Sequence, residues 1–303
     1  MGDIFASIII TAYNRKNFLL DAIKSAINQT LAKNQYEIIV IKNFNDEIID
    51  DFINQNHIKN IFMDGIIGEF LYKGVEESNG NIICFLDDDD LFLATKLEYV
   101  YNLFKNNEKL VYYHNLSKFI DENNVFMNKT DYNISFNLSS ISVKKDIINL
   151  DVLRNLFIIQ DTFMYYSALE YDGVTIADKK ILTYYRFHNS VSNYIEYNEL
   201  KIIHKTELLK KFLLQLEELS IVFQNNKVKM DLLNYVITLE LEMNILYKLG
   251  YSKINYKIES RKILRYISIF NYWGSKRLYD LKFLKFLELY LPKKIIKRIE
   301  LLY

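Results

Sequence analysis

Short apolar runs alternate with a helical pattern in the N-terminal part of the chain, and this alternation restricts the fold more than any other feature of the sequence. Residues 5–10 form a run rich in β-branched side chains, which predicts a buried strand. Apolar residues then recur at helical spacing over 19–27, and residues 37–41 form a second apolar run. A strand, a helix and a strand in this order make a βαβ unit, whose two strands lie parallel in one sheet.

The alternation continues to about residue 106 and then becomes less regular. A weaker helical pattern over 68–78 is followed by a third strand over 81–86 and a helix over 95–106. Farther along, the apolar patterns predict strands at 110–113, 139–143 and 181–187 and a mostly helical stretch at 150–169. We therefore predict an α/β fold, doubly wound in its first part, with a mostly parallel sheet.

The sequence pattern changes near residue 197, where long helical patterns replace the short strands. One of them ends at Gly250, which has the position of a helix C-cap. A chain of 303 residues commonly forms one large domain and a smaller one. The predicted organisation is an α/β domain over 1–196 and an all-helical domain over 197–303.

The charge balance and the single cysteine limit the class of protein. Lys plus Arg and Asp plus Glu both number 38, and zero net charge argues against general nucleic-acid binding, which needs a basic surplus. Cys84 cannot form an internal disulfide, and its apolar surroundings predict a core position. The N-terminus shows no signal-peptide pattern, and no apolar run reaches the roughly 18–20 residues that span a bilayer. We expect a cytoplasmic location, with peripheral contact at the cytoplasmic face of the membrane as the alternative to a freely dissolved protein.

Four consecutive carboxylates, at residues 87–90, directly follow the predicted strand 81–86. Ligands of open α/β sheets bind beyond the carboxyl ends of the strands, so these side chains lie where a ligand is expected. Adjacent carboxylates repel one another unless a cation or solvent compensates them. Mg²⁺ takes one or two carboxylates and leaves other positions to substrate phosphates. The sequence thus favours a site for a divalent metal and a diphosphate, and the alternatives are a solvated acidic loop or an acidic cap on the next helix.

Several short segments follow one another in a recognisable order. They are residues 7–15 (SIIITAYNR), 26–30 (AINQT), 36–40 (YEIIV), 85–90 (FLDDDD) with Gly80 before it, 160–161 (QD) and 184–192 (YYRFHNSVS). In this order and spacing they resemble the family 2 glycosyltransferases of GT-A fold. The resemblance covers roughly residues 5–195 and leaves the C-terminal third outside it. It implies a Rossmann-like catalytic domain that binds a nucleotide-diphosphate sugar and transfers the sugar with inversion.

The resemblance also implies roles for individual positions. Asp87 and Asp89 match the ends of the family's Asp-x-Asp motif, which implies a divalent cofactor, Mg²⁺ or Mn²⁺, with Asp89 as its ligand. Asp161 matches the catalytic base. The implied metal ligands are Asp87, Asp89 and His188. The implied donor-binding residues are Thr11, Tyr13, Arg15, Asn43, Asp87, Asp88, Arg186 and His188.

Three of these assignments have structural alternatives. Arg186 and His188 stand two residues apart, so on a strand both side chains point to one face. The functional interpretation places them at the donor's diphosphate, and the alternative is a pair at a strand end that bonds to backbone groups. For Asp161 the alternative to a base is the N-cap of the helix that follows it.

Some positions depart from the family's pattern and support a second hypothesis. Lys42 and Asn43 stand where the family usually has two acids. Asn43 has the position that commonly contacts the nucleotide base of the donor. An amide still donates and accepts hydrogen bonds. Gln160 replaces a common Glu. The second hypothesis is a catalytically degenerate protein of the same fold that holds a sugar nucleotide, or serves as a scaffold, without turnover.

The last segment of the chain, residues 293–303, has an amphipathic helical pattern. Its polar side carries Lys293, Lys294, Lys297 and Arg298. One interpretation is a helix on an anionic membrane surface, beside a lipid-linked acceptor, and the other is a helix packed on its own domain. The expected partners are therefore a nucleotide-sugar donor and a glycan or lipid-linked acceptor.

Overall fold

The computed structural model describes residues 4–127, 137–171, 173–188, 199–254 and 292–293. The chain divides into two compact units, Met1–Phe187 and His188–Tyr303. The first unit contains the sheet, and the second contains two long helices. The predicted boundary at residue 196 lies outside the described residues and stays a prediction. The same holds for the amphipathic segment 293–303, of which only residue 293 is described.

An eight-stranded mixed sheet forms the centre of the first unit. Its strands are β1 (Ala6–Ala12), β2 (Tyr36–Lys42), β3 (Lys59–Phe62), β4 (Ile82–Asp87), β5 (Leu91–Phe92), β6 (Leu110–Ile120), β7 (Ile141–Lys144) and β8 (Val174–Arg186). Their order across the sheet is β3-β2-β1-β4-β7-β6-β8-β5. The first four strands in this order are parallel, as are β6 and β8, whereas β7 is antiparallel to both neighbours and β5 to β8. The predicted βαβ unit and the mostly parallel sheet are confirmed.

The strand register brings the carboxyl ends of three parallel strands to one edge of the sheet. Thr11 of β1 lies opposite Asp87 of β4, and Ala12 lies opposite Lys42 of β2. The segments that follow β1, β2 and β4 therefore leave the sheet side by side. This edge is the place where parallel sheets bind ligands.

The helices follow the apolar spacing seen in the sequence. They are α1 (Leu19–Ile27), α2 (Glu47–Gln55), α3 (Ile67–Glu76), α4 (Lys96–Asn106), α5 (Leu150–Arg154), α6 (Gln160–Glu170), α7 (Glu199–Val222) and α8 (Asn226–Leu249). In α1 the buried side chains are Leu19, Ala22, Ile23 and Ala26. Cys84 is buried in the same core, as predicted. Each fully buried aliphatic side chain contributes about 1.5–3 kcal/mol, so this core holds the first unit together.

Several local features differ from the expectation. The predicted strand 139–143 begins only at Ile141, because residues 138–140 form a 3₁₀ turn. The helical stretch 150–169 is divided into α5 and α6, and Ile159 between them has a left-handed backbone with φ 63°. The strand 181–187 is the end of the longer β8, which stops at Arg186. Helix α2 and strand β3 were not expected, and β3 has mostly exposed side chains, so no buried apolar run marks it.

The described part of the second unit is mainly helical, which confirms the predicted change of structure. Helix α8 ends at Gly250, whose positive φ of 91° is the left-handed C-cap that the sequence predicts. Within the residues described above, no helix is both long enough and apolar enough to cross a bilayer.

Candidate active site

Strand β4 ends in a tight turn that carries the four predicted carboxylates, and we call residues 87–90 the acid turn. The N–H of Asp90 donates to the carbonyl of Asp87 over 3.1 Å and closes it. Asp87, Asp89 and Asp90 each place one oxygen within 4.8 Å of the others. Oxygen ligands at this spacing suit a hard divalent cation. The structure thus brings together the predicted ligands Asp87 and Asp89 and adds Asp90. His188 is buried and begins the second unit, and its role as a metal ligand stays a prediction.

Burial makes the acid turn electrostatically costly. Burial, together with the charges of Asp89 and Asp88, raises the pKa of Asp87 to about 8. Burial also raises the pKa of Asp88 to about 6, against the opposing effect of its hydrogen bond from Arg15. Asp90 is 1% exposed, and no hydrogen-bond donor among the described residues reaches its Oδ2. A buried carboxylate oxygen without a donor is unfavourable unless a cation approaches it, so this set of ligands fits a divalent metal.

Arg15 supplies a positive charge next to the acid turn. Its guanidinium contacts both carboxylate oxygens of Asp88, with Nε 3.0 Å from Oδ2 and Nη2 on Oδ1. The same Nη2 lies 2.7 Å from Oδ2 of Asp89. Burial acts to lower the pKa of Arg15, but the hydrogen bond and charges of the carboxylates outweigh it and raise that pKa. One guanidinium does not balance four carboxylates, so the turn can accept a further cation.

Arg186 is buried behind the acid turn and fixes its backbone. Its Nε donates to the carbonyl of Asp89 over 2.8 Å, and its own N–H donates to Oδ1 of Asp90 over 2.9 Å. Its Nη1 reaches the carbonyls of Asp121 and Glu122 at 3.2 and 3.3 Å. These contacts match the backbone-bonding alternative for this arginine. Because β8 stops at Arg186, His188 lies beyond the strand and does not share a strand face with Arg186.

Three of the residues predicted to bind the donor, Thr11, Tyr13 and Asn43, lie at the same edge of the sheet. Thr11 is buried at the end of β1, and Tyr13 in the following loop is 53% exposed. Asn14, with a left-handed φ of 52°, donates its N–H to Oδ1 of Asn43 over 2.8 Å. The amide of Asn43 donates back to Oδ1 of Asn14 over 3.0 Å. The loops after β1 and β2 are therefore tied together by a pair of amide side chains.

Lys42, the other departure from the family pattern, is buried and satisfied within the protein. Its Nζ lies 2.7 Å from Oδ1 of Asp50 on α2 and donates to the carbonyl of Phe44 over 2.7 Å. Its ammonium group is thus held by α2 and by the following loop. The substitution of an acid by lysine is accommodated by a local ion pair.

Asp161 lies in the first turn of α6, where its charge acts on the acid turn. Its carboxylate adds to the rise in the pKa of Asp87, after burial and the charges of Asp89 and Asp88. The N-cap position belongs to Ile159, whose left-handed backbone is unfavourable for a β-branched residue. Burial raises the pKa of Asp161 to about 6, against hydrogen bonds from Thr162. A carboxylate with this pKa is ionised at neutral pH and still accepts a proton readily.

Two buried contributors to the site were missed from the sequence. Ser139 accepts the N–H of Asp87 over 2.9 Å, and Lys96 donates its Nζ to the carbonyl of Ser139. Ser139 lies 52 residues from its partner Asp87, in a segment without any motif. Lys96 stands at the start of α4, where a basic residue is ordinarily solvated. No local signal marks either residue.

The raised pKa values predict how stability depends on pH. The pKa of Asp87 is 3.8 ordinarily and about 8 in the folded protein, so between these values the folded state binds more protons than the unfolded state. The stability contributed by this group is present below its ordinary pKa and is lost as the pH rises towards about 8. We expect the melting temperature of metal-free protein to fall from about pH 5 to about pH 8, and Mn²⁺ to raise it more at the higher pH, because metal binds ionised carboxylates.

Differential scanning fluorimetry with EDTA or with Mn²⁺ at each pH measures both effects. The Asp87→Asn variant is the control, because it removes the carboxyl whose pKa burial raises to about 8 and should flatten the metal-free pH dependence. An Mn²⁺-induced shift of equal size at both pH values would contradict this electrostatic interpretation of the turn.

Comparison with known sequences gives the site a context. A family model described as "Glycosyl transferase family 2" matches residues 7–169, more than half of the chain. An uncharacterized glycosyltransferase of Rickettsia bellii (strain RML369-C) is 33% identical over 142 residues, which cover 44% of this chain and 17% of that protein. The UDP-Glc:alpha-D-GlcNAc-diphosphoundecaprenol beta-1,3-glucosyltransferase WfaP of Escherichia coli is 26% identical over 218 residues, which cover 67% of this chain and 85% of WfaP. The chain therefore spans less than a fifth of the Rickettsia relative and most of WfaP.

Comparison with solved structures agrees on the fold. S. aureus TarS 1–349 in complex with UDP-GlcNAc has a TM-score of 0.61 to this chain, at 10% sequence identity. The match covers 98% of this chain and 90% of the TarS chain. At this identity the likeness shows a shared fold, and it confirms the GT-A architecture expected from the sequence.

Proposed function

Because the chain belongs to glycosyl transferase family 2, we propose that it transfers a sugar from a nucleotide-diphosphate donor to an acceptor hydroxyl. The proposal includes a divalent metal, inversion at the anomeric carbon and Asp161 as general base. One observation carries it: at the edge where the parallel strands end, Asp87, Asp89 and Asp90 each place one oxygen within 4.8 Å of the others. Family membership supports the reaction class, and this geometry supports the residues.

The acid turn would hold the metal. Asp87, Asp89 and Asp90 each offer one oxygen, and the orphaned Oδ2 of Asp90 gives a reason for a cation to bind there. When bound, the metal offsets the negative charge that develops on the leaving diphosphate. Arg15, already 2.7 Å from Asp89, brings a second positive charge to the same edge and is suited to contact the donor's phosphates.

Asp161 would act on the acceptor. Inversion needs the acceptor oxygen to attack the anomeric carbon from the face opposite the leaving diphosphate. As the new C–O bond forms and the bond to the diphosphate breaks, the carboxylate of Asp161 takes the proton of the attacking hydroxyl. Its place on α6, an element separate from the acid turn, is consistent with a group on the far side of the sugar.

The two tyrosines after Asp161 differ in their access to an acceptor. Tyr165 is four residues after Asp161 and so shares its helix face, and it is half-buried. Tyr166 is 3% exposed and belongs to the core. A tyrosine ring can stack on a sugar, and we propose that Tyr165, rather than Tyr166, makes this contact with the acceptor.

The donor and acceptor classes are proposed from the relatives' names. WfaP is named for UDP-Glc as donor and a diphosphoundecaprenol-linked sugar as acceptor, and the TarS structure contains UDP-GlcNAc. A UDP-sugar donor and a lipid-linked or glycan acceptor are thus the first candidates. A lipid-linked acceptor fits a peripheral location on the cytoplasmic membrane face, with contact through residues 293–303.

A degenerate protein that binds a sugar nucleotide without turnover is the second candidate. It is favoured by Lys42 and Asn43, whose side chains are engaged by Asp50 and Asn14. Asn43 nevertheless retains one amide hydrogen and one acceptor lone pair with which it can bind the nucleotide base of a donor. Turnover separates this candidate from the enzyme.

A thermal-shift screen of nucleotide sugars, each with Mn²⁺ or with EDTA, tests the proposed function. A ligand at a hundred times its Kd stabilises the folded state by about 2.7 kcal/mol, which is readily measured. We expect at least one nucleotide sugar to raise the melting temperature with Mn²⁺ and to lose this effect in EDTA. A complete panel without any metal-dependent shift would contradict the proposal.

The pKa of Asp161 predicts the pH dependence of turnover. The base must be ionised, and its pKa is raised by burial to about 6, so the rate should fall about tenfold per pH unit below that value. Turnover is measured from about pH 5 to pH 8 with donor and Mn²⁺ kept saturating, so that metal loss does not imitate the titration of the base. A rate that stays level down to about pH 5 would show that no group with this pKa acts as the base.

A further inference from the structure

One buried hydroxyl supports the start of the acid turn. Ser139, in the 3₁₀ turn before β7, is fully buried, and its Oγ accepts the N–H of Asp87 over 2.9 Å. The same hydroxyl faces Asp90, whose pKa is raised by burial and by neighbouring charges while hydrogen bonding from Ser139 acts to lower it. Among the described residues Oδ2 of Asp90 has no hydrogen-bond donor, so the bond to the N–H of Asp87 is the well-formed contact of this hydroxyl. Ser139 thus acts on the first and the last residue of the turn.

Ser139 is itself held by buried polar side chains. Its carbonyl accepts bonds from Nζ of Lys96 and, over 3.1 Å, from Oγ1 of Thr183. The Thr183 oxygen in turn accepts from Lys96 over 3.2 Å and from the amide of Asn115 over 3.0 Å. All four residues are at most 1% exposed. Because each bond has a defined direction and all four residues are buried, the network fixes the position of Ser139.

We propose that Ser139 is a positioning residue for the metal site. Its hydroxyl holds the acid turn so that the oxygens of Asp87, Asp89 and Asp90 are in place before a cation arrives. This rests on the proposed metal at the acid turn. Loss of a hydrogen-bonding partner behind metal ligands typically weakens metal binding about 10–100-fold, and Ser139→Ala is expected to do the same.

The neighbouring residue Ser140 provides a matched control. It is equally buried, and its hydroxyl bonds to Oγ of Ser117 over 2.7 Å and to Oδ1 of Asn137 over 2.8 Å. Neither partner belongs to the acid turn. Ser140→Ala therefore removes one buried hydroxyl from the same turn of chain and leaves the metal site alone, so a merely structural effect would appear in both variants.

The test is a titration of the full chain with Mn²⁺ alone, in which electron paramagnetic resonance measures the free ion. We expect Mn²⁺ to bind Ser139→Ala about 10–100-fold more weakly than wild type, and Ser140→Ala within about twofold of wild type. Thermal denaturation reports the folding of each variant. If Ser139→Ala does not fold, Ser139→Cys replaces it, because a thiol of similar size hydrogen-bonds weakly and should show the same direction of change.

Three outcomes separate this inference from the proposed function. Weakened Mn²⁺ binding confined to the Ser139 variants supports the inference. Equal binding by wild type and a folded Ser139 variant, or equal weakening in Ser140→Ala, overturns it and leaves the metal-dependent function intact. A wild-type protein that takes up no Mn²⁺ overturns the metal part of the proposed function, and the inference with it.

Discussion

Asp161→Asn is expected to lower turnover by roughly 10²–10⁴-fold while the protein remains folded and binds its donor. The amide has nearly the same size and keeps an oxygen for the N–H of Thr162, so the first turn of α6 is preserved. It has no basic oxygen to take the acceptor's proton. Asp161 is partly buried and its pKa is raised, so its replacement with a neutral amide also leaves stability at neutral pH unchanged or slightly higher. The measurements are kcat at saturating donor and acceptor, donor Kd, and melting temperature.

Asp151→Asn is the matched control for this prediction. Asp151 is also an aspartate in the first turn of a short helix, α5, but it is exposed. If the loss of rate reflected only the electrostatics of a helix N-terminus, both variants would show it. Near-normal turnover in Asp161→Asn, with the fold intact, would show that the base is a different residue.

Asp89→Ala is expected to abolish metal-dependent donor binding. The variant removes one of the three oxygens that lie within 4.8 Å of one another. Loss of a metal ligand should lower the affinity for the metal by more than the roughly 10–100-fold that follows loss of a residue hydrogen-bonded to a ligand. The variant should lose little stability, because the ion pair of Asp89 with Arg15 is only partly buried and the charge of Asp89 raises the pKa of Asp87.

The measurement for Asp89→Ala is a titration of the donor by calorimetry with Mn²⁺ and with EDTA. Asp51→Ala, an exposed aspartate on α2, is the control for simple loss of a negative charge. The control should bind donor as wild type does in both conditions. Donor binding by Asp89→Ala that still responds to Mn²⁺ with wild-type affinity would rule out this residue as a ligand.

The sheet and the acid turn could be predicted because both are recorded in local sequence. The apolar runs at β1, β2 and β4 are short and β-branched, and a helical pattern separates the first two. This order leaves few topologies open, since crossover connections between parallel strands follow one hand. The carboxylates continue β4 without interruption, so the rule that ligands bind beyond strand ends was sufficient to place them.

The supporting contacts of the site could not be predicted because they join distant parts of the chain. Arg15 and Asp88 are 73 residues apart, and Arg186 reaches Asp89 across 97 residues. Spacing along the sequence carries no information about such pairs. The family resemblance placed Arg15 and Arg186 with the donor, but their contacts with the acid turn appear only in the folded structure.

Lys42 shows why a departure from a family pattern is ambiguous in sequence alone. A lysine in place of an acid at a strand end suggests a lost ligand contact. In the structure its ammonium group turns to Asp50 on α2, a helix that the sequence pattern did not reveal. Lys42 is therefore explained together with its partner Asp50.

The most direct test of the account is the release of nucleoside diphosphate from the nucleotide sugar that the thermal-shift screen identifies. The release is measured for the wild-type protein with acceptor present, once in Mn²⁺ and once in EDTA. Metal-dependent transfer predicts release in Mn²⁺ that stops in EDTA and returns when Mn²⁺ is restored. Release of the same rate in EDTA would contradict the metal site, and binding without any release in Mn²⁺ would identify the chain as the degenerate binding protein.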